Sequence, residues 1–597
     1  MDIELQKRVN EAIEAINKLS PQTIDMQHID PVAKMMLVAL VCETQKIHDY
    51  VDGAAQRIAD RFSTHFIPRQ KVEAMPAVCL LKPELKARYE SSTATIGSNA
   101  SFVFKTEESK SPLNYIPIFN TTLLPHKSLY LLTPNKLRHN GNVIDIHMEN
   151  ANHLWLGINT TAEVDSLKAL SMIINGTTGM LPERIFACSA SGKELDFSTM
   201  LEMENIEMAE PFDAQQASNT FFSLIENWKT CLLNMDNTAL LYITDDTNDR
   251  DIFKPRPYPR QFQQWLESEV LDYFNASTMW LRLEFPEGYT VPDDCEVILN
   301  VLPVTNIDVC SLMLTQNQPI AKLQKIDDSF FLRILETSLS SQRQGFNMTG
   351  DDIIIRDFDA QCYNNGHLYR DVRNLYNRFI DDYYAFIEYN GIKDGEVLKQ
   401  LRETINKLGK SVGTQNELFK FDSGTYVMLN MSQQQVSSSI RVSYITTMGR
   451  LGNLPRMGET MENRREPAIE QKCTILVSAM GGADRATIDE RYEQLRYYSL
   501  TNDRLYTRMD IDAFLRKELL AEYGKDEFRR IFIKMSIEGA AGSDFLRRGL
   551  YITIEFKDSK NYQHATEIGY DKLLEQRIRN KSCIAMPIIV SLKNLEE

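Results

Sequence analysis

The apolar residues of this chain change period at about residue 76, and that change limits what it can fold into. Before it, Leu5, Val9, Ala12, Ile16 and Leu19 recur at steps of four and three, the seam of a short coiled coil or helical bundle. A second helix is predicted from the cap Asp30 and Pro31 at the first helical position, with Ile47, Val51, Ala54, Ile58, Phe62 and Phe66 in one stripe up to Pro68. Its first third, VAKMMLVALVC, is apolar nearly all round and contains Met36 and Leu40. Such a helix needs neighbours on several sides, more than residues 2–19 supply. Helices from elsewhere in the chain or from another protein are therefore expected, with Leu5, Val9, Ala12, Ile16, Leu19, Met36 and Leu40 as the candidate subunit interface.

After residue 76 the period is two. VIDIHM sets Ile144, Ile146 and Met148 against Asp145 and His147, and WLRLEF sets Leu281, Leu283 and Phe285 against Arg282 and Glu284. Helical stretches interrupt at 221–233 and 260–274. Residues 367–409 read as a helical hairpin turning at Asn390 and Gly391, the second helix carrying Val397, Leu401, Ile405 and Leu408. RLGNLPRMGETMENRREP, residues 450–467, reads as an arginine-rich loop, mobile or ordered by a partner. The remainder alternates strand, helix, helix, strand, strand, helix, strand from CTILVSA onward, close to a ferredoxin-like order. The expected fold class is α+β and multidomain: a helical bundle segment over 1–75, a β-rich sandwich-like region with helical insertions over 76–345, the hairpin with strands and the arginine-rich loop over 346–470, and a ferredoxin-like α+β domain over 471–597.

At 597 residues the chain exceeds the size at which single cores stop growing, about 250 to 300 residues. Its longest apolar run, Met35 to Cys42, cannot cross a bilayer, and MDIELQKRVNE lacks the regions of a signal peptide, so no membrane insertion is expected. The net charge of -16 argues against sequence-independent nucleic-acid binding. Nine scattered cysteines suggest neither a metal knuckle nor a disulfide framework.

Several stretches invite a catalytic reading and each has a plainer one. RFIDDYYAF resembles the aromatic-x-Asp-Asp box of reverse transcriptases, but Leu368, Val372, Leu375, Phe379, Tyr383 and Phe386 form a helical stripe. On such a helix Asp381 and Asp382 diverge by about 100° and share no ion closely. His147 and His153 sit near neighbouring strands without a metal-ligand spacing. SASGKE lacks the spaced first glycine of a phosphate loop, and DDTNDRD lacks the EF-hand register. No catalytic residue, cofactor or metal is expected.

Residues 1–330 resemble the TssF family, wedge subunits of the type VI secretion baseplate. The resemblance is carried, in order, by IDPVAKMM, IHDYVDGAAQRIADRF, PRQKVEAMPAV, SFVFKTEESKSPLNYIPI and VILNVLPVTNID. The stretch SAMGGADRATIDERYEQLRYYSLTNDRLYTRMDIDAFL is similar to baseplate J-like proteins of contractile phages. The hairpin at 367–409 and the arginine-rich loop depart from ordinary TssF chains and mark a divergent branch. The resemblance implies a cytoplasmic structural subunit in which two copies contact each other and bind one TssG, their helices forming a common bundle. It further implies that TssK, TssE, the VgrG spike and the sheath are partners. The rival readings are a phage-like tail or receptor-binding β-sandwich protein and a metal-dependent nucleic-acid enzyme using Asp381 and Asp382.

Overall fold

Alternation by itself predicts a strand with one wet face, yet Val78–Lys82 has two dry ones up to Leu81. Ala77, Cys79 and Leu81 belong to the interior of a closed barrel, while Val78 and Leu80 belong to a second core outside it. The barrel runs in the order Val78–Lys82, Leu302–Thr305, Leu113–Pro117, Phe102–Phe104, Thr460–Asn463, Lys472–Met480. In this computed structural model the chain divides into two compact units. One comprises Arg69–Arg356 and Thr425–Arg485, the other Met1–Pro68, Asp357–Gly424 and Ala486–Glu597. The described residues are 73–97, 99–106, 109–177, 180–188, 192–210, 219–233, 238–275, 277–315, 318–323, 329–339, 353–358, 424–429, 439–524, 528–539, 548–567, 570–583 and 586–594, with single positions 32, 35, 36, 38, 40, 44, 67, 212, 400, 403, 404 and 407.

The first unit stacks sheets so that inner strands are covered on both faces. A four-stranded sheet, ordered Phe197–Thr199, Thr238–Ile243, Ser171–Asn175, Glu296–Leu299, gives Met172, Ile174, Leu241 and Ile243 to one core. Its opposite face gives Ile173, Leu240 and Tyr242 to the core shared with the outside of the barrel. At the centre of Ser171–Asn175 the residues Met172, Ile173 and Ile174 are accordingly apolar without alternation, as a strand buried on both faces requires. A seven-stranded sheet packs on the first of these cores through Leu154, Leu156 and Ile158 of His153–Asn159 and through Leu281 and Leu283 of Thr278–Glu284. Its outer face carries Tyr130, Leu132, Trp155 and Trp280 under Phe262, Leu266 and Phe274. The alternation of WLRLEF is thus realised, and Arg282 on the outer side lies over the Trp155 and Phe186 rings and pairs with Glu284 at 2.7 Å.

The helix Asn219–Leu233 forms where 221–233 predicts one, and buries Leu224, Trp228, Cys231 and Leu232 in the core between barrel and four-stranded sheet. Residues 260–274 differ from the single helix expected there. They make two short helices, Phe262–Trp265 and Ser268–Leu271, because Leu266 and Glu267 turn extended and send Phe262 and Leu266 down onto the sheet. Two further three-stranded sheets share a small core of Cys310, Leu314, Val427, Val442 and Tyr444. In one of them Ile353–Phe358 lies beside Gly424–Leu429, so the segment holding the expected hairpin is inserted between two neighbouring strands.

The arginine-rich stretch, expected to be a loop mobile or ordered by a partner, is instead held in place by strand pairing and side-chain hydrogen bonds within the protein. Gly449–Asn453 is a 3-10 turn and Thr460–Asn463 is a barrel strand whose Met461 is fully buried. The Tyr115 hydroxyl donates to Gly452 O at 2.5 Å, and Asn453 exchanges two hydrogen bonds with the Gly482 backbone, at 2.7 and 2.8 Å. The Arg450 amide donates to Asp484 Oδ1 at 2.7 Å. Gly481 completes this junction at φ 83°, a left-handed conformation, with Cys231 Sγ where its side chain would be. Gly481→Ala should therefore destabilise by about 2–5 kcal/mol, the sum of left-handed strain and overlap. In a Cys231→Ala background the overlap part should vanish, leaving about 1–2 kcal/mol. Identical losses in both backgrounds, read from denaturant midpoints, would show that the thiol contact is not what excludes a side chain.

The C-terminal region also differs from a ferredoxin-like order. Its sheet has three strands, Ile531–Gly539 antiparallel to Arg548–Phe556 and Arg548–Phe556 parallel to Ile588–Asn594. The strand Lys472–Met480, expected to open this domain, pairs instead with Val78–Lys82 and Thr460–Asn463 in the barrel. Period identifies it as a strand; a partner some four hundred residues upstream leaves no local trace. Helices Ile488–Thr501 and Arg508–Tyr523 start at capping boxes, Thr487 with Glu490 and Thr507 with Asp510. Ile511, Phe514, Leu515 and Leu519, with Leu574 and Ile578 of Tyr570–Lys581, cover one face of the sheet.

Candidate interaction surface

Val32, Met35, Met36 and Leu40 are helical and lie 58, 68, 70 and 68% exposed. Positions 32, 36 and 40 follow at steps of four with 35 beside them, so the four side chains form one stripe on one helix face. Thr44 extends the same line, its hydroxyl donating to Leu40 O at 2.8 Å. Burying each such side chain against a partner is worth about 1.5–3 kcal/mol. Of the expected interface residues, Met36 and Leu40 are thus on the surface, and Leu5, Val9, Ala12, Ile16 and Leu19 lie outside the described residues. In the expected hairpin, Gln400, Glu403, Thr404 and Lys407 are helical and exposed, the polar positions between Val397, Leu401, Ile405 and Leu408, which lie outside the described residues.

Asp381 and Asp382 also lie outside the described residues. His147 is exposed beyond the end of its strand, whereas His153 Nε2 sits 3.6 Å from Glu284. Of SASGKE, Lys193 and Glu194 lie in the strand Lys193–Leu195, antiparallel to Arg184–Ala187. Lys193 turns to Asp245 at 3.5 Å and to the Thr247 hydroxyl. In DDTNDRD, Asp245 accepts backbone N–H groups from Thr247 (2.7 Å) and Asp196 (3.3 Å), Lys168 pairs with Asp246 (2.6 Å), and Arg250 pairs with Asp165. Burial raises the Asp245 pKa, but those hydrogen bonds and the Lys193 charge outweigh it and hold the carboxyl below the usual range. The Asp245 and Asp246 carboxylates are thus tied to neighbouring cations and amides. Among the described residues no group of three His, Cys, Asp or Glu side chains converges as metal ligands would.

Burial pushes the Cys188, Cys295 and Cys473 thiols up to about 12 and Cys79 higher still, the opposite of what a nucleophilic thiolate requires. A cavity of about 330 Å³ is lined by Lys82, Glu84, Glu90, His126, Lys127 and Asn300 among others. Its two lysines are offset by two glutamates. Asn300, at φ 60°, bonds both the N–H and the C=O of Leu124 at 2.8 Å and so fixes the wall.

Three histidines share one electrostatic bias. Burial lowers the pKa of His126, His139 and His153; the Leu124 carbonyl and Glu284 oppose this at His126 and His153 without reversing it. Each imidazole is harder to protonate folded than unfolded, so the unfolded chain takes up protons first as pH falls below about 6.5. Stability present above that pH is lost on acidification through the lowered folded values. We expect the thermal midpoint of the first unit to fall between pH 7 and pH 5.5, and a variant with all three changed to Gln to show a flatter profile there. An unchanged slope in the variant would remove the histidines as its cause.

One exposed surface follows no helical or strand period. The turn between Ile488–Thr501 and Arg508–Tyr523 shows Leu500, Tyr506 and Met509 at 52, 59 and 68% exposure, with Arg504 and Arg508 exposed among them. In the sequence its trace is Tyr506 and Met509 interleaved with Arg504 and Arg508 in RLYTRMD, too short for any period to register.

No family model matches the chain. No curated protein matches it either. Among solved structures the chain is similar to one from the type VI secretion TssK-TssF-TssG baseplate subcomplex, at 10% identity and a TM-score of 0.39, covering 94% of this chain and 96% of that one. It is also similar to a chain of the baseplate complex from the type VI secretion system, at 10% identity and a TM-score of 0.31, covering 99% and 96%. Among the described residues no helix is long and apolar enough to cross a membrane.

Proposed function

We propose that this protein is a structural wedge subunit of a contractile injection machine, a divergent relative of the TssF family acting in a type VI secretion baseplate. The observation that carries the reading is the stripe Val32, Met35, Met36, Leu40, where four large apolar side chains stand exposed on one helix face of an acidic chain. An exposed contiguous apolar stripe is a partner surface in a soluble protein, and an amphipathic helix presented in this way is read by other helices at positions i, i+3, i+4. The order of the quoted TssF-like stretches over residues 1–330 supplies the identity of those helices.

In this reading Met36 and Leu40, together with Leu5, Val9, Ala12, Ile16 and Leu19, enter a bundle formed by two copies of the chain and one TssG. The stacked sheets and barrel act as a rigid body joining that bundle to TssK, TssE, the VgrG spike and the sheath, on the cytoplasmic side of the inner membrane. The chain's contribution is transmission of shape, with contraction energy supplied by the sheath. Co-expression with the neighbouring genes of its operon, followed by native mass measurement, tests this. A complex of two copies with one TssG-like chain supports the wedge; a threefold homo-oligomer without other subunits supports a tail or receptor-binding protein instead.

A further inference from the structure

The turn between Ile488–Thr501 and Arg508–Tyr523 is held rigidly from inside while its outer side chains have little to hold. Asn502 and Asp503 both take left-handed backbone, at φ 48° and 63°, a conformation costly for non-glycine residues and kept only where surroundings enforce it. Here they do. Asp503 Oδ1 accepts from the Tyr497 hydroxyl at 2.9 Å and from Lys581 at 2.5 Å, and the Asp503 amide donates to the Thr501 hydroxyl at 3.1 Å. Leu505 is fully buried and its amide donates to Lys581 O at 2.9 Å. Asp510 Oδ2 accepts the amides of Tyr506 and Thr507 at 3.0 and 2.8 Å. Leu500, Arg504, Tyr506 and Met509 project from this frame. Arg504 has the Tyr506 hydroxyl as hydrogen-bond partner and no carboxylate among the described residues. Tyr, Met and Arg on a pre-ordered backbone are the residue types that carry binding energy at protein interfaces, because little conformational freedom remains to be lost.

The complement to this surface lies in the other unit of the same chain. Met200–Asn205 is a 3-10 segment anchored by buried Met200 and Met203, from which Leu201 projects at 56% exposure. Around it Glu202, Glu204, Glu207 and Glu210 are exposed. Glu207 approaches Lys168 at 4.0 Å, and Glu202, Glu204 and Glu210 pair with no cation among the described residues. An apolar centre flanked by Glu202, Glu204 and Glu210 matches in both charge and hydropathy an aromatic and Met centre flanked by Arg504 and by Arg508, whose guanidinium also donates to Met535 O.

We propose that the basic turn Leu500–Met509 of one copy docks on the acidic ridge Leu201–Glu210 of a second copy. This deepens the wedge reading by naming the surfaces of its copy-to-copy contact, and it uses neither Met36 nor Leu40. The contact is heterologous, joining different patches of the two copies, so it propagates into a ring or a chain of subunits unless a two-fold arrangement pairs both ends at once.

The test is a charge swap on the full-length chain, with self-association followed by sedimentation velocity at 50 mM and 500 mM salt. Wild-type protein should associate at low salt and weaken at least tenfold at high salt. Arg504→Glu and the double variant Glu202→Arg with Glu204→Arg should each weaken association at least tenfold. Mixing the two variants should restore it to within threefold of wild type. All three sites are exposed, so circular dichroism should be unchanged. Wild-type protein that is monomeric at low salt, or a mixture no tighter than either variant alone, overturns the proposal. So does an Arg504→Glu chain that self-associates normally but loses a TssG-like subunit, since the turn then serves a different partner. A Met36→Asp, Leu40→Asp chain that loses the bundle partner yet keeps the salt-sensitive association separates failure of one contact from failure of the other.

Discussion

Replacing Met36 and Leu40 together by aspartate should leave the chain folded and remove it from its complex. Both side chains are about two-thirds exposed, so neither substitution opens a cavity or buries a charge within the chain, and surface changes of that kind stay within about 0.5 kcal/mol of wild-type stability. In the proposed bundle the same positions are buried, and each aspartate forfeits the transfer energy of a large apolar side chain besides bringing an unpaired charge into an apolar seam. A combined loss of about 3–5 kcal/mol corresponds to a complex weaker by roughly two to three and a half powers of ten. Co-purification with the TssG-like subunit, quantified against wild type, measures it. Retention of the partner at wild-type yield would sink the assignment of this stripe, and collapse of the circular dichroism spectrum would show that the stripe packs within its own chain instead.

Trp228→Ala should produce the largest stability loss of any single substitution considered, about 3–5 kcal/mol. Trp228 is fully buried where the helix Asn219–Leu233 fills the space between barrel and four-stranded sheet. It packs edge-on against Phe212 at 4.9 Å, and its indole N–H donates to the Thr305 hydroxyl at 3.2 Å. That hydroxyl in turn donates to Ala77 O at 3.1 Å, so one side chain braces the helix and two barrel strands. Trp228→Phe keeps most of the volume and loses one hydrogen bond, about 1 kcal/mol. Hydrogen exchange should show lost protection in Ser171–Asn175 and Thr238–Ile243 and unchanged protection in Arg548–Phe556, which belongs to the other unit. Equal deprotection of both units would contradict a local bracing role.

The roughly three- to five-fold difference in expected cost between the alanine and phenylalanine changes reflects how much of the helix's anchorage is the buried volume of the Trp228 side chain. Cys231, Trp228 and Leu224 fall on one face of 219–233, and that spacing is visible in the sequence. Their destination is not, since Thr305 and Gly481, the groups that Trp228 and Cys231 meet, lie 77 and 250 residues away along the chain.

What the residues determine by themselves is local: the helical stripe containing Met36 and Leu40, the alternation of Leu281, Leu283 and Phe285, and the capped starts at Thr487 and Thr507 all follow from period and capping chemistry that act within a few residues. Only the tertiary structure decides which strands are neighbours. Lys472–Met480 reads as the opening strand of the C-terminal domain and instead closes a barrel with Val78–Lys82, and the arginine-rich stretch reads as a loop, mobile or ordered by a partner, and instead supplies the barrel strand Thr460–Asn463. The reason is physical: backbone hydrogen bonding makes any strand edge compatible with many others, so pairing is settled by which side chains fit a shared core, and that fit exists only once distant segments have met.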